Sequence, residues 1–180
     1  MIHLVGPGGA GKTTTGAALA DQLDIPFVDL DAEFTARFGD VSAYLDTHGY
    51  DAYAAANVGL YTALSSVREP FRVVALSSGF MTARRDAHPR YASVREELAS
   101  SPSTFVLLPT LELATCVAET VRRQLARPFA RSPEHEEEVI RARFPIYVNL
   151  PARKIETLRP IAVVVADLLA MVRDRRLLAG

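Results

Sequence analysis

The sequence has no tryptophan, one cysteine and four histidines in 180 residues. The single Cys116 excludes an intrachain disulfide, and His3, His48, His88 and His135 fall at no metal-ligand spacing, so neither bridges nor structural zinc are expected to hold the fold. Cys116 itself reads as a small core residue. A surplus of charge is lacking too. Twenty basic against 21 acidic residues leave a net charge of -1, which gives no general attraction for nucleic acid or anionic lipid. The longest apolar stretch, residues 161–172, is broken by Asp167 and is too short to span a bilayer. The chain enters a glycine-rich motif directly, without a secretory apolar region. These absences lead us to expect a cytoplasmic protein with no nucleic-acid or membrane partner. The length fits a single domain, residues 1–180, as a monomer or homodimer.

Hydrophobic residues at 49% and charged residues at 23% are enough to build a packed core. Short apolar runs at 2–5, 26–29, 72–76, 104–108 and, more weakly, 154–157 alternate with stretches of helical spacing. The helical stretches are 12–22, 31–38, 41–49, 53–67, 93–99, 111–125, 133–143 and 160–174. Continuous rather than alternating hydrophobicity suits buried parallel strands. The order predicts a three-layer α/β fold, with a five-stranded parallel sheet flanked by helices. Ser132-Pro133-Glu134 is a helix start, with a capping hydroxyl, proline in the first turn and an acid beside it. Residues 82–90 and 127–132 read as mobile loops.

Gly6-Pro7-Gly8-Gly9-Ala10-Gly11-Lys12-Thr13 fills every fixed position of GxxxxGK[ST] between a predicted strand and a predicted helix, the context this phosphate cradle requires. Gly8 to Gly11 turn backbone N–H groups toward a phosphate chain, and the helix N-terminus adds its dipole. Lys12 reaches the β- and γ-phosphates, and Thr13, followed by Thr14, is placed to ligate magnesium. The bland alternative is a glycine-rich turn joining strand to helix. No Asn-Lys-x-Asp base-reading motif is present, and the runs 72–76 and 104–108 do not end in acids, so neither a GTPase nor a motor ATPase is indicated. The acids available to the cradle are Asp29 and Asp31. Strand alternation sends both to one side at the carboxyl end of the second strand, where open α/β sheets bind ligands. Capping of the next helix is the competing role, above all for Asp31.

The cradle, the segment Phe27-Val28-Asp29-Leu30-Asp31 and the residues that follow it resemble shikimate kinase and its relatives in the nucleoside-monophosphate-kinase group of P-loop kinases. The resemblance runs over roughly residues 2–172 and implies a short mobile lid, at about 122–132, and ATP with magnesium as cofactors. It implies transfer of the γ-phosphate to a hydroxyl of a small-molecule acceptor. By the same resemblance Asp31 binds and deprotonates the acceptor and Asp29 helps hold magnesium. Lys12 and the lid residue Arg127 neutralise the transferring phosphate. Arg123 and Pro160 flank adenine, while Gly79 and Arg143 contact the acceptor. Guanidinium suits a carboxylate by its bidentate fork, although an arginine on a helix is more often a solvated charge.

The acceptor side departs from the family pattern. Gly-Glu-x-x-Phe-Arg-x-x-Glu is matched here by Gly49-Tyr50-Asp51-Ala52-Tyr53-Ala54-Ala55-Ala56-Asn57, which puts alanine at the second arginine of the carboxylate clamp and Asn57 at the glutamate. Gly-Gly-Gly after the third strand becomes Ser77-Ser78-Gly79. Arg84, Arg85 and Arg90 are candidate replacement cations. Tyr44, Tyr50, Tyr53 and Tyr61 either line the acceptor pocket or pack helix faces, and packing is the commoner role. The reading is a small-molecule kinase with an altered acceptor pocket. Its competitors are a nucleoside or nucleotide kinase on the same fold and a non-catalytic ATP-binding regulatory protein.

Overall fold

The computed structural model describes residues 1–67, 70–126 and 132–178, with side chains as far as Arg173. In chain order the elements are β1 (Ile2–Val5), α1 (Lys12–Leu23), β2 (Phe27–Asp29), α2 (Leu30–Phe38), α3 (Val41–Ser66), β3 (Val73–Ala75), a 3-10 turn (Phe80–Thr82), α4 (Tyr91–Ser100), β4 (Thr104–Leu108), α5 (Leu113–Leu125), α6 (Pro133–Val148), β5 (Arg153–Glu156) and α7 (Ile161–Leu178). The five strands form one sheet in the order β2-β3-β1-β4-β5, and every pair is parallel. The expected fold class is the one observed. The first and fourth strands have the predicted limits, and the others move by one or two residues.

Strand alternation divides the core into two layers. Ile2 and Leu4 of β1, with Phe105 and Leu107 of β4, face Leu19, Val164 and Leu168. Val5, Val106 and Leu108 face the opposite way, against Phe34, Val58, Cys116 and Tyr147. Full burial of a side chain such as Leu4 or Leu107 removes it from water at a gain of about 1.5–3 kcal/mol, and both are 0% exposed. The apolar runs lack a polar face because helices cover both sides of the sheet. His3 points into the layer with Val5, where its Nε2 lies 3.1 Å from the Tyr61 hydroxyl. Burial holds the His3 ring well below the ordinary imidazole range, at about 3.

Three local features position the site. First, α2 begins at Leu30 because Asp29 caps it, its Oδ1 accepting from the N–H groups of Asp31 and Ala32 at 2.9 and 3.3 Å. Second, the two helices predicted at 41–49 and 53–67 join end to end as α3. Gly49 interrupts it with φ 77° and ψ 172°, which a side chain would strain. Third, the stretch predicted to end at residue 143 continues through Pro145 to Val148. Proline removes one helical hydrogen bond, but Tyr147 just beyond it is fully buried and donates to the Ser78 carbonyl at 2.8 Å. Tertiary packing carries the helix past the proline. Among the described residues no helix is long and apolar enough to cross a membrane.

Candidate active site

The loop from β1 to α1 turns with Gly9 and Gly11 at φ 73° and 88°, left-handed conformations that glycine adopts without a steric cost. Gly11 is also the cap of α1, so the loop delivers the helix N-terminus to the mouth of the cleft. Thr157 Oγ1 donates to the Ala10 carbonyl at 2.9 Å, and Ala10 is wholly buried, which pins the middle of the loop to the segment after β5. Lys12 Nζ donates to the carbonyls of Gly6 and Pro7 at 2.8 and 2.9 Å, which folds the ammonium over the loop.

A second tie comes from α5. Arg123 donates through Nη1 to the Gly9 carbonyl at 3.1 Å and through Nη2 to the Thr157 carbonyl at 3.2 Å. Its Nε is held by Glu119 Oε1 at 2.6 Å. Glu119 is correspondingly acidic, at about 2, through hydrogen bonds from Arg122 and then Arg123. Arg123 therefore joins the cradle to the segment between β5 and α7. Together they wall an open cleft lined by Gly9, Gly11, Thr14, Arg123, Arg159 and Ile161. Pro160 lies between the last two, and its carbonyl receives the first N–H bonds of α7, from Val163 and Val164.

Next to this cleft, Lys12, Thr13, Asp29, Asp31, Ser78 and Gln124 line one polar pocket. The expectation that Asp29 and Asp31 share a side of the cleft holds, but the geometry differs from strand alternation. Asp31 stands in the first turn of α2, and the helix cap is Asp29. Thr13 Oγ1 donates to Asp29 Oδ2 at 2.6 Å. This hydroxyl and carboxylate are hard oxygen donors of the kind magnesium takes, and they meet beside the cradle. The residues present fit that metal.

The residues expected on the acceptor side adjoin this pocket. Tyr53 Oη donates to Asp31 Oδ1 at 3.2 Å. Tyr50, Tyr53, Ala54, Asn57, Ser77 and Gly79 line a small pocket with room for about one water molecule. Asn57 and Ser77 are almost fully buried, and Asn57 Oδ1 and Ser77 Oγ find no hydrogen-bond partner among the described residues. Arg143 reaches across from α6, with Nη1 3.4 Å from Ser78 Oγ and Nη2 3.4 Å from Tyr50 Oη. Gly79 permits this convergence, since a Cβ there would meet Tyr50 Oη at 2.1 Å.

The tyrosines divide between the two roles expected for them. Tyr50 and Tyr53 line the pocket, Tyr44 packs against Phe34 and Phe38, and Tyr61 holds His3. Of the candidate replacement cations, Arg84 is tied to Asp86 at 2.9 Å and to Asp51 at 3.5 Å, while Arg85 and Arg90 are exposed. Arg127 and residues 128–131 lie outside the described residues. Gln124 was not legible as a site residue. Its side chain fits against Gly8, where a Cβ would meet Nε2 at 2.5 Å, and its sequence signal is no more than adjacency to Arg123.

Comparison with known proteins agrees with this fold. A family model described as shikimate kinase matches residues 8–173. The shikimate kinase of Nitratidesulfovibrio vulgaris is 29% identical over 185 aligned positions, covering 94% of each chain. Shikimate kinase 1 of Sodalis glossinidius is 31% identical over 170 positions, covering 92% of this chain and 91% of its own. Among solved structures, the shikimate kinase of Acinetobacter baumannii in complex with shikimate superposes with a TM-score of 0.76 at 25% identity, covering 98% of this chain and 94% of that one.

Proposed function

The chain belongs to the shikimate kinase family, and from that premise we propose that Lys12, Asp31 and Arg127 transfer phosphate from ATP to a small hydroxylated acid held by one arginine rather than two. Membership makes the chain an ATP-dependent phosphotransferase that acts on a hydroxyl and uses magnesium. It favours this activity over a nucleotide kinase or a non-catalytic regulator. The observation that carries the assignment of residues is the single pocket shared by Lys12, Thr13, Asp29 and Asp31.

In this reading the backbone N–H groups of Gly8, Gly9, Ala10 and Gly11, continued by Thr14, cradle the phosphate chain, while Arg123 and Pro160 flank the adenine. Thr13 and Asp29 hold magnesium, which when bound neutralises charge on the β- and γ-phosphates. Lys12 and Arg127 offset the charge developing on the transferred group, a contribution worth up to ~10³–10⁵ in rate for an arginine in other P-loop enzymes. Asp31 orients the acceptor hydroxyl and takes its proton as the new O–P bond forms and the bond to ADP breaks. Arg143 grips the acceptor carboxylate over Gly79. With Ala54 at the second clamp position, one charge-assisted contact of about 1.5–3 kcal/mol is lost. Shikimate should therefore bind on the order of ten- to a hundredfold more weakly than to a two-arginine site. We read residues 1–180 as one cytoplasmic domain with its lid at about 122–132.

The test is ADP release from magnesium ATP against a panel of hydroxylated acids that includes shikimate, with Asp31→Asn as control. We expect one acceptor to stimulate turnover and Asp31→Asn to lower kcat by ~10²–10⁴. A loss of threefold or less would reduce Asp31 to a residue of the α2 first turn.

A further inference from the structure

Asp31 can serve an acceptor hydroxyl only if its carboxylate faces the right way, and side-chain rotation about the last bond of an aspartate is soft. The structure supplies one restraint from α3. Tyr53 is 8% exposed, and its ring is wedged against Phe34 and Tyr50 with centroids 4.8 and 6.0 Å away. Its carbonyl is tied to Asn57 Nδ2 at 3.0 Å. The hydroxyl of this fixed ring donates to Asp31 Oδ1 at 3.2 Å. Burial first, and then the neighbouring Asp31 carboxylate, hold the phenol above its ordinary range. A hydroxyl in so apolar a setting costs free energy unless it is paired. The family pattern has phenylalanine at this position, and Tyr53 therefore adds a polar group next to the base in the same segment that loses the clamp arginine and its glutamate.

We propose that Tyr53 is a positioning residue that fixes the rotation of the Asp31 carboxylate through its hydroxyl and so sets the direction in which Asp31 meets the acceptor. The inference rests on the role proposed for Asp31 above. Asn57 and Ser77 stand close to the same phenol. One N–H of the Asn57 amide is committed to its own helix, and the other, like the Ser77 hydroxyl, is of the kind that donates to the phenol oxygen. The tyrosine proton is directed to Asp31.

The experiment is a double-mutant cycle of Tyr53→Phe and Asp31→Asn, measured with magnesium ATP and the most active acceptor of a panel of shikimate, quinate and gluconate, with crystal structures of the wild type and Tyr53→Phe alongside. Phenylalanine is the residue of the family pattern, so the variant should fold. Expected are a kcat lowered ~3- to 10-fold, unchanged KM for ATP and acceptor, and no further loss when Tyr53→Phe is added to Asp31→Asn. In the crystals the Asp31 carboxylate should rotate away from its wild-type orientation. An unchanged kcat, a purely additive cycle, or a rise confined to acceptor KM would overturn the proposal, the last by making Tyr53 an acceptor contact. A carboxylate that keeps its orientation in Tyr53→Phe crystals would overturn it whether or not any of the three acids turns over. A flat panel combined with a rotated carboxylate would count against the proposed acceptor class and leave the positioning role supported. Loss in Tyr53→Phe with none in Asp31→Asn would remove the assigned role of Asp31, and the inference with it.

Discussion

The two halves of the cleft are built by different means. On the nucleotide side the contacts are made largely by backbone. Glycines turn the loop, it ends at the N-terminus of α1, and Arg123 and Thr157 lock the loop through its carbonyls. On the acceptor side the lining is side chain on side chain, with Asp31 from α2, Tyr50 and Tyr53 from α3, Ser78 after β3 and Arg143 from α6. A backbone cradle serves any nucleoside triphosphate and tolerates little change. A wall of side chains is re-specified by a few substitutions, and here the substitutions gather on that side.

Three predictions would break or sharpen this contrast. Lys12→Ala should cost the most on the nucleotide side, lowering kcat by ~10²–10³ as a preorganised phosphate contact is removed, while acceptor binding by calorimetry stays as it was. Equal damage to both sides would mean that they are not separable. On the acceptor side, Ala54→Arg combined with Asn57→Glu should restore the family's charged pair and raise kcat/KM for shikimate ~10- to 100-fold. No gain would show that the lost clamp is not what distinguishes this pocket. Arg123→Ala should raise the KM for ATP ~10-fold by releasing the cradle from the β5–α7 segment and leave acceptor KM in place, as steady-state kinetics would show.

The smallest effect on catalysis, and a measure of the fold apart from the site, comes from His3. Its folded pKa of about 3 lies below the unfolded value of about 6.5, so the unfolded chain binds the extra proton between them. The contribution of neutral His3 is complete above pH 6.5 and is lost as pH falls toward 3, at up to ~1.4 kcal/mol per pH unit. Denaturant melts of wild type and His3→Gln should show the variant with a flatter decline over that window. Parallel declines would remove His3 from the account of acid sensitivity.

The same division explains what could be read from the sequence. The cradle was legible residue by residue because eight consecutive positions carry it between a strand and a helix, and the middle of the sheet was legible because both faces of β1, β3 and β4 are covered. Asp31 was assigned to the correct cleft for a reason that does not hold, since a strand was extended across the cap that Asp29 makes. The meeting of Arg143 with Tyr50 and Ser78 was beyond reach. The contacts link positions 93 and 65 residues apart, which no local pattern of the sequence connects. Tyr53 illustrates the middle case. Its departure from the family pattern was visible, but the partner of its hydroxyl was not.

The central claim, a retained nucleotide side facing a changed acceptor side, is tested most directly by kcat/KM for shikimate at saturating magnesium ATP, with KM for ATP measured in the same assays. We predict an ordinary KM for ATP and a kcat/KM for shikimate below the range of ~10⁴–10⁸ M⁻¹s⁻¹ usual for an enzyme on its own substrate. Shikimate turnover inside that range would contradict the account, because the pocket would then serve the family's substrate with one arginine as well as with two.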